Sequence, residues 1–380
     1  MKEIKRDVYL KQLTDKKGNG LIKIELDRAV NKKYHHDPVS FDNFIRSQVK
    51  DDKTHYVLLD EIQLVDDFES VLNSLLYEKN LDIYVTGSNS RFLSTDIITE
   101  FRGRGDQIHM APFSFSEFFS AYDGDKYDCW SEYLTFGGMP LVTKQKSDKE
   151  KSAYLKDLFT HTYFKDIVER NHIKRLDVLD SIVDILASSV GSLTNPQKIY
   201  DTFKSKGEKE LSINTINAYL SFLEDAFIVR KAIRYDVKGR KYINTPFKYY
   251  FADIGLRNAR LNFRQQEENH LMENAIYNEL IVRGYNVDVG VVEIREGNSR
   301  AQTEVDFVCN EGSNRYYIQS ALNLSTPEKT AQESRPLNHI GDNFKKIIVV
   351  KDHIKPWRTE DGILVIGIMD FLLDPDSLKR

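Results

Sequence analysis

Two adjacent carboxylates, Asp60 and Glu61, directly follow the short apolar segment Val57-Leu58-Leu59. Such a segment predicts a buried strand, so the pair would lie at the end of that strand. At a strand end, an aspartate can hold a magnesium ion, usually through water, and a glutamate can polarise a water molecule for attack. The alternative interpretation is that both residues are solvated acids at the end of an ordinary strand.

Polar and basic residues follow the next predicted strand, Ile83-Tyr84-Val85. Ser88 and Asn89 come just after its end, where a side chain could meet a terminal phosphate. Arg102 and Arg104 alternate with glycines further along the chain, and arginines on such a loop can serve as fingers for the nucleotide of a neighbouring subunit. The alternative for the arginines is a basic surface loop.

The elements that must position these residues are a strand, a helix and a second strand. Between the two strands, apolar residues recur at helical spacing at positions 68, 71, 72, 75 and 76. This order predicts a parallel α/β unit, within a first domain of residues 1–122. A mostly helical region followed by a basic hairpin predicts a second domain at 123–258, with the outline of a winged helix. Alternating helices and strands predict a third, α/β domain at 259–380.

The motifs and their order resemble those of the prokaryotic AAA-type ATPases that carry a nuclease-like carboxyl-terminal domain. The resemblance covers nearly the whole chain and rests on DEIQ at 60–63, TGS at 86–88, FRGRG at 101–105, FSFSEF at 113–118, YLTFGGMP at 133–140, YFADIGL at 250–256 and MEN at 272–274. It implies an α/β fold with a P-loop NTPase sheet, a helical lid with a winged helix and a restriction-endonuclease-like domain. It also implies ATP and magnesium as cofactors, with Asp60 on the metal, Glu61 as base, Ser88 or Asn89 as sensor, and Arg102 or Arg104 as finger.

The phosphate loop of that family is missing from the sequence. Its pattern is G-x-x-x-x-G-K-[ST], whose backbone amides and lysine hold the phosphates, and no such string occurs here. The family places this loop, its helix and a second strand at the point where Lys23 joins Ile24 in this chain. An internal deletion of roughly 30 residues would explain the junction, and residues 21–26 are then expected to form one strand. We expect weak or no ATP binding, because two carboxylates alone repel anionic phosphates.

A basic segment runs from Arg230 to Lys248. Seven lysines or arginines stand there against the single acid Asp236, which gives a local charge of +6. The turn residues Lys238, Arg240 and Lys241 are therefore candidates for contacting the phosphate backbone of DNA. The preceding predicted helix, at 212–223, has no lysine or arginine on its outward positions, which argues against sequence-specific recognition. The alternative is a helical lid with a solvated basic hairpin.

The third predicted domain looks like the restriction-endonuclease fold, whose chemistry uses an Asp followed by Glu-x-Lys on the next strand. Asp306 lies where that Asp is expected, and Glu273 on the preceding helix is the one other acid that could approach it. The Glu-x-Lys position carries Gln319 and Ala321, which cannot hold a metal or direct a water. We predict a degenerate site without hydrolysis, in a binding or assembly module; alternatively, the acids are ordinary strand-end residues.

The composition of the chain limits the classes of protein to which it can belong. The net charge of -4, from 54 basic and 58 acidic residues, excludes a globally basic nucleic-acid coat but allows a local basic patch. The longest apolar run, Ile363–Met369, has seven residues, whereas a membrane-spanning helix needs ~20. Two cysteines without a disulfide or zinc pattern, and an amino terminus unlike a secretory signal, favour a cytoplasmic protein.

Three alternatives to an active ATPase follow from these residues. The first is a non-enzymatic protein that binds nucleic acid or a partner through the basic hairpin. The second is a subunit that donates Arg102 or Arg104 to the nucleotide of an intact paralogue; a homo-oligomer is the other assembly that we consider. The third is a non-functional gene remnant.

Overall fold

The computed structural model describes residues 4–6, 9, 20–87, 105, 107–205, 207, 211–264, 267–296 and 299–380. The chain divides into two compact units: a small unit, Asp7–Met110, and a large unit made of Met1–Arg6 and Ala111–Arg380. Among the described residues, no helix has the length and apolar character needed to cross a membrane.

The small unit is built on a three-stranded parallel sheet in the order β1-β2-β3, with β1 at Gly20–Glu25, β2 at His55–Asp60 and β3 at Leu81–Val85. Its helices are α1, Pro38–Gln48, and α2, Phe68–Leu75. The apolar face of α2 shares one core with Val57 and Leu59 of β2. The predicted strand–helix–strand unit is therefore confirmed, because helical spacing places these side chains on the face that the sheet covers.

Strand β1 runs without a break through the junction of Lys23 and Ile24. It pairs with β2 in six consecutive positions, from Gly20 opposite His55 to Glu25 opposite Asp60. The backbone then continues to Leu26, whose amide donates to the carbonyl of Asp60 over 3.1 Å. The prediction of a single strand across this junction is confirmed.

The large unit begins with a helical region, as predicted. Its helices up to the hairpin are α3 Phe115–Ala121, α4 Lys126–Phe136, α5 Asp148–Asp157, α6 Lys165–Arg170, α7 Leu176–Ser188, α8 Pro196–Ser205 and α9 Ile213–Asp225. After the hairpin come α10 Ile254–Arg260, α11 Glu268–Val282, α12 Pro327–Asn338 and α13 Ile368–Leu373.

A mixed sheet of eight strands forms the rest of the large unit, in the order β10-β11-β9-β8-β7-β6-β4-β5. The strands are β4 Val229–Asp236, β5 Lys241–Phe251, β6 Asn286–Glu296, β7 Ser299–Glu311, β8 Asn314–Ala321, β9 Lys345–Val350, β10 Trp357–Arg358 and β11 Leu364–Gly367. The hairpin of β4 and β5 belongs to this sheet because β4 pairs in parallel with β6. The sheet thus takes strands from both sides of residue 258, where the sequence analysis places a boundary. The winged-helix and endonuclease-like assignments stay predictions.

Two motifs that the sequence analysis singled out meet inside the large unit. Asp253 caps α10 by accepting from the amide of Leu256 over 2.9 Å, and its second oxygen accepts from the amide of Gly138 over 2.7 Å. A Cβ at Gly138 would lie 2.2 Å from the carbonyl oxygen of Phe113, so only glycine fits there. These residues therefore hold α4, its following turn and α10 together.

The motif at 272–274 also has a structural role. The amide side chain of Asn274 both accepts from the backbone N–H of Phe251, over 2.9 Å, and donates to its carbonyl, over 2.8 Å. Asn278, one helical turn further along α11, donates to the same carbonyl over 3.0 Å. Both asparagines are buried, so these bonds satisfy backbone groups at the end of β5 that water cannot reach.

Candidate functional site

Three strand ends of the small unit meet at one edge of its sheet, because the strands are parallel. Glu25 ends β1, Asp60 ends β2 directly beside it, and Thr86 follows β3. The Thr86 hydroxyl donates to the Asp60 carboxylate. The backbone amide of Thr86 donates to the carbonyl of Leu59 over 2.9 Å, which fixes the hydroxyl beside β2. Asp60 is thus the last residue of a strand, as predicted.

Glu61 turns away from the strand direction, since its backbone lies in the left-handed region with φ at 57°. Its amide donates to the Thr86 hydroxyl over 3.4 Å, and its carboxylate accepts from the side-chain amide of Gln63. Neutral donors therefore already contact both carboxylates of the predicted pair.

The cations at this edge lie on β1 and just after it. The Lys23 ammonium is 2.6 Å from a Glu25 carboxylate oxygen, and the Arg28 guanidinium is 3.2 Å from the other oxygen. The hydrogen bond and charge of Lys23 lower the pKa of Glu25. Both basic side chains are more than half exposed, so these ion pairs are weak and screened by salt.

The described part of this edge offers oxygen atoms for magnesium, and the sequence has no phosphate-loop pattern. Asp60 and Thr86 are oxygen donors of the kind that magnesium accepts. However, no group of three or more His, Cys, Asp or Glu side chains within the described ranges is arranged to hold a metal ion. The sequence also lacks the loop that would hold the phosphates. The predicted sensors and fingers, Ser88, Asn89, Arg102 and Arg104, lie outside the described residues.

A second cluster lies in the large unit, around the ammonium of Lys248. It is 2.6 Å from a carboxylate oxygen of Glu304, 2.9 Å from one of Glu273 and 3.8 Å from one of Asp306. Lys248 comes from β5, Glu273 from α11, and the other two acids from β7. Lys248 is only 3% exposed. The structure thus brings together Glu273 and Asp306, as the sequence analysis expected, but around a lysine that it did not place there.

The predicted partners on β8 have other roles. The Gln319 side-chain oxygen accepts from the amide of Asp306 over 3.4 Å, and its nitrogen donates to Glu333 over 3.4 Å. The neighbouring backbone amide of Ser320 donates to the Asp306 carboxylate over 2.8 Å. Ala321 is buried in an apolar cluster of the sheet. Gln319 therefore contacts only the backbone of Asp306, and the amide of Ser320 contacts its carboxylate.

Burial and neighbouring charges shift the pKa values of this cluster. Burial alone would lower the pKa of Lys248, but the charges of Glu273, Asp306 and Glu304 raise it above its usual value. Burial, and then the charge of Glu273, raise the pKa of Asp306 to about 8. The Tyr250 hydroxyl donates to Glu273 over 2.6 Å. Lys248 therefore stays protonated and cannot act as a base or nucleophile near neutral pH.

The sequence analysis counted Lys248 in the basic surface of the hairpin, and this was wrong. A signal was present: Lys248 lies between Phe247 and Tyr249 in an aromatic run, and strand periodicity places it on the same face as Tyr250. An isolated charge in such a run indicates a buried ion pair. The contribution of Glu304 could not be seen from the sequence, because nothing local links it to residue 248.

The turn of the hairpin keeps its basic character. Lys238, Arg240 and Lys241 are exposed, and we call these three residues the hairpin tip. The Asp236 carboxylate accepts from the amide of Gly239 over 2.8 Å, which closes the turn. On α9, the outward residues carry no positive charge, as predicted; those that are exposed include Asn214, Asn217 and Ser221.

Comparisons with known proteins match two segments of the chain. Residues 8–119 match the family described as "AAA domain", and residues 127–267 match a "Domain of unknown function (DUF8612)". An uncharacterized protein of Haemophilus influenzae is 36% identical over 324 residues, covering 84% of this chain and 77% of that protein. Uncharacterized protein MJ1544 of Methanocaldococcus jannaschii is 26% identical over 288 residues, covering 73% of this chain and 63% of that protein.

Comparison with solved structures adds little to the description of this fold. The crystal structure of protein VC1899 from Vibrio cholerae is 11% identical and covers 94% of this chain and 96% of that one. Its TM-score is 0.23, so the likeness carries no structural argument.

Proposed function

We propose that this chain, which belongs to one family with its Haemophilus influenzae relative and matches the AAA domain over residues 8–119, is a degenerate AAA-type protein with weak or no ATP binding. Members of this class generally use ATP with magnesium. The observation that carries the proposal is the unbroken pairing of β1 with β2, which continues across the point where the phosphate loop would be inserted.

The energetics of phosphate binding support this proposal. A triphosphate needs backbone amides at a helix amino terminus and a lysine to offset its charge. At the carboxyl edge of the small sheet, Glu25, Asp60 and Glu61 contribute three carboxylates, and the charges of Lys23 and Arg28 are directed at Glu25. Anionic phosphates brought to this edge would meet like charge, which is repulsive even in a high effective dielectric.

Calorimetric titration of the full chain with magnesium and ATP tests the proposal, at protein concentrations that reveal millimolar affinity. We expect no saturable heat from the wild type or from Asp60→Asn. The matched control is Asp52→Asn, an exposed aspartate on the segment that precedes β2. Saturable binding that Asp60→Asn removes and Asp52→Asn retains would overturn the proposal.

A second candidate function is contact with nucleic acid through the hairpin tip. It is favoured by the exposure of three basic side chains within four residues, beside an Asp236 carboxylate already engaged by the turn. Such a tip would contact the phosphate backbone without reading bases, and its affinity would fall steeply with salt.

Fluorescence anisotropy with labelled oligonucleotides tests this candidate across a salt series. Changing the three tip residues together to alanine should abolish binding of the oligonucleotide. If binding persists, the slope of log affinity against log salt concentration should become shallower by about 2 to 3. The control changes the exposed Lys144, Lys146 and Lys149 together to alanine, which removes the same charge elsewhere in the large unit. Equal loss in both triple variants would show only nonspecific attraction, and the candidate would fail.

A further inference from the structure

An exposed tyrosine stands next to the hairpin tip. Tyr242 follows Lys241 on β5, and 60% of it is exposed. Its ring meets Tyr235 of β4 edge-on, with ring centroids 5.4 Å apart. The charge of Asp288 on β6 raises the pKa of Tyr242. Tyr235 packs against the Tyr242 ring while much of the surface of that ring faces solvent.

The contacts of Tyr242 continue into a row of stacked groups. The Arg315 guanidinium carbon lies 5.2 Å from the ring centroid of Tyr235 and 5.4 Å from that of Phe344. Arg315 also donates to Asn310 over 2.8 Å, which fixes the guanidinium. Phe344 is 41% exposed. We call Tyr242, Tyr235, Arg315 and Phe344 the aromatic row; both of its end residues are open to solvent.

The acids that contact this row are engaged within the fold. Asp236 accepts from the amide of Gly239 over 2.8 Å. Asp342 accepts from the Tyr317 hydroxyl over 2.6 Å and from the amide of Phe344 over 3.2 Å. Asp288 lies near Tyr242, and its charge raises the pKa of that tyrosine. Lys238, Arg240, Lys241 and Arg315 carry four positive charges against the three acids Asp236, Asp288 and Asp342. An anion would therefore bind at the hairpin tip, where the basic side chains are exposed.

We propose that the aromatic row and the hairpin tip together bind single-stranded nucleic acid, with bases stacked on Tyr242 and Phe344 and phosphates at the tip. This rests on the nucleic-acid contact proposed above and adds the class of strand. Exposed aromatic faces can stack only on bases that are free of a duplex, and such stacking tolerates any sequence. The uncharged outer face of α9 offers no basic helix for the major groove of a duplex.

Anisotropy with a labelled single strand and with a duplex of the same length and sequence tests this inference. Tyr242→Ala and Phe344→Ala, made separately, should each weaken single-strand binding by about 5- to 100-fold and leave duplex binding little changed. Tyr242→Phe keeps the ring and should bind like the wild type. Trp357→Ala removes a 43% exposed aromatic side chain elsewhere on the sheet and serves as the control.

The outcomes separate the two proposals. If neither nucleic acid binds, both the hairpin contact and this inference fail. If the duplex binds at least as tightly as the single strand, and only the triple alanine variant of the hairpin tip weakens binding, the hairpin contact stands and the inference is overturned. Preferential single-strand binding that is lost in Tyr242→Ala and Phe344→Ala but kept in Tyr242→Phe supports it.

Discussion

The ammonium nitrogen of Lys248 lies 2.6 Å from a carboxylate oxygen of Glu304, although the lysine side chain is only 4% exposed. Glu273 and Asp306 complete the surroundings of this ammonium. A buried charge is tolerated only when partners replace its hydration, and here the side chains of three acids surround the ammonium. The cluster therefore joins β5, α11 and β7 through one side chain.

Removal of the lysine should be costly. Lys248→Met keeps the apolar stem but leaves Glu273 and Glu304 close to Asp306 without a cation, and we expect a loss of about 3–5 kcal/mol in the free energy of unfolding. Urea denaturation measures this loss. The control is Lys351→Met, since the ion pair of Lys351 with Glu268 is about 40% exposed on both sides and should contribute less than about 1 kcal/mol. Equal losses in the two variants would contradict a special role for Lys248.

The raised pKa of Asp306 predicts a pH dependence with a definite sign. The folded state holds a proton on Asp306 up to about pH 8, whereas an unfolded aspartate releases its proton near pH 4. Between these values the folded state binds more protons, so stability should fall as pH rises. The raised pKa of Lys248 adds no slope in this window, because its contribution is lost only above the ordinary lysine value.

Urea denaturation from about pH 5 to about pH 8.5 tests the sign of this pH dependence. Asp306→Asn retains an acceptor for the amide of Ser320 but cannot ionise, so its stability should vary less with pH than that of the wild type. The exposed Asp352→Asn should follow the wild type. A wild-type stability that rises with pH across the window, and does so no less in Asp306→Asn, would refute the prediction.

The Asp253 carboxylate offers a comparison between two helix caps. Asp253→Ala removes the acceptor for the buried amides of Leu256 and Gly138, and we expect a loss of roughly 3 kcal/mol, from a lost cap and an unsatisfied buried amide. Asp125→Ala removes an exposed cap of α4 that also accepts from two amides, and should cost about 1 kcal/mol. Thermal and urea unfolding measure both, and a similar loss in each would contradict the linking role of Asp253.

The spacing of apolar residues along the sequence was enough to predict much of the fold. The apolar spacing of α2 and the short strands on either side of it predicted the parallel unit, because side-chain periodicity depends only on neighbouring residues. The continuous strand across Lys23 and Ile24 followed from the same reasoning. The exposed, basic turn of the hairpin was likewise visible in the sequence.

Long-range pairing could not be predicted in this way. The register of β4 beside β6 joins Arg234 to Val289, more than 50 residues away. The same limit concealed the burial of Lys248, whose partners lie on α11 and β7. Asp306 and Glu273 were recognised as a pair only through family resemblance, and the lysine between them comes from a strand that the sequence analysis assigned to another domain.

A close backbone approach at Gly138 gives a final prediction. A Cβ added at Gly138 would lie 2.2 Å from the Phe113 carbonyl oxygen, and that oxygen also accepts from the Tyr133 hydroxyl over 3.0 Å. Because the carbonyl is held in place, Gly138→Ala should lower the free energy of unfolding by about 1–3 kcal/mol or more. Gly341→Ala is the control, since its Cβ would meet no atom within 4 Å and the change should be neutral or slightly stabilising. Equal urea midpoints for the two variants would show that the turn at residues 137–138 can relax, and that its contact with Phe113 does not fix its geometry.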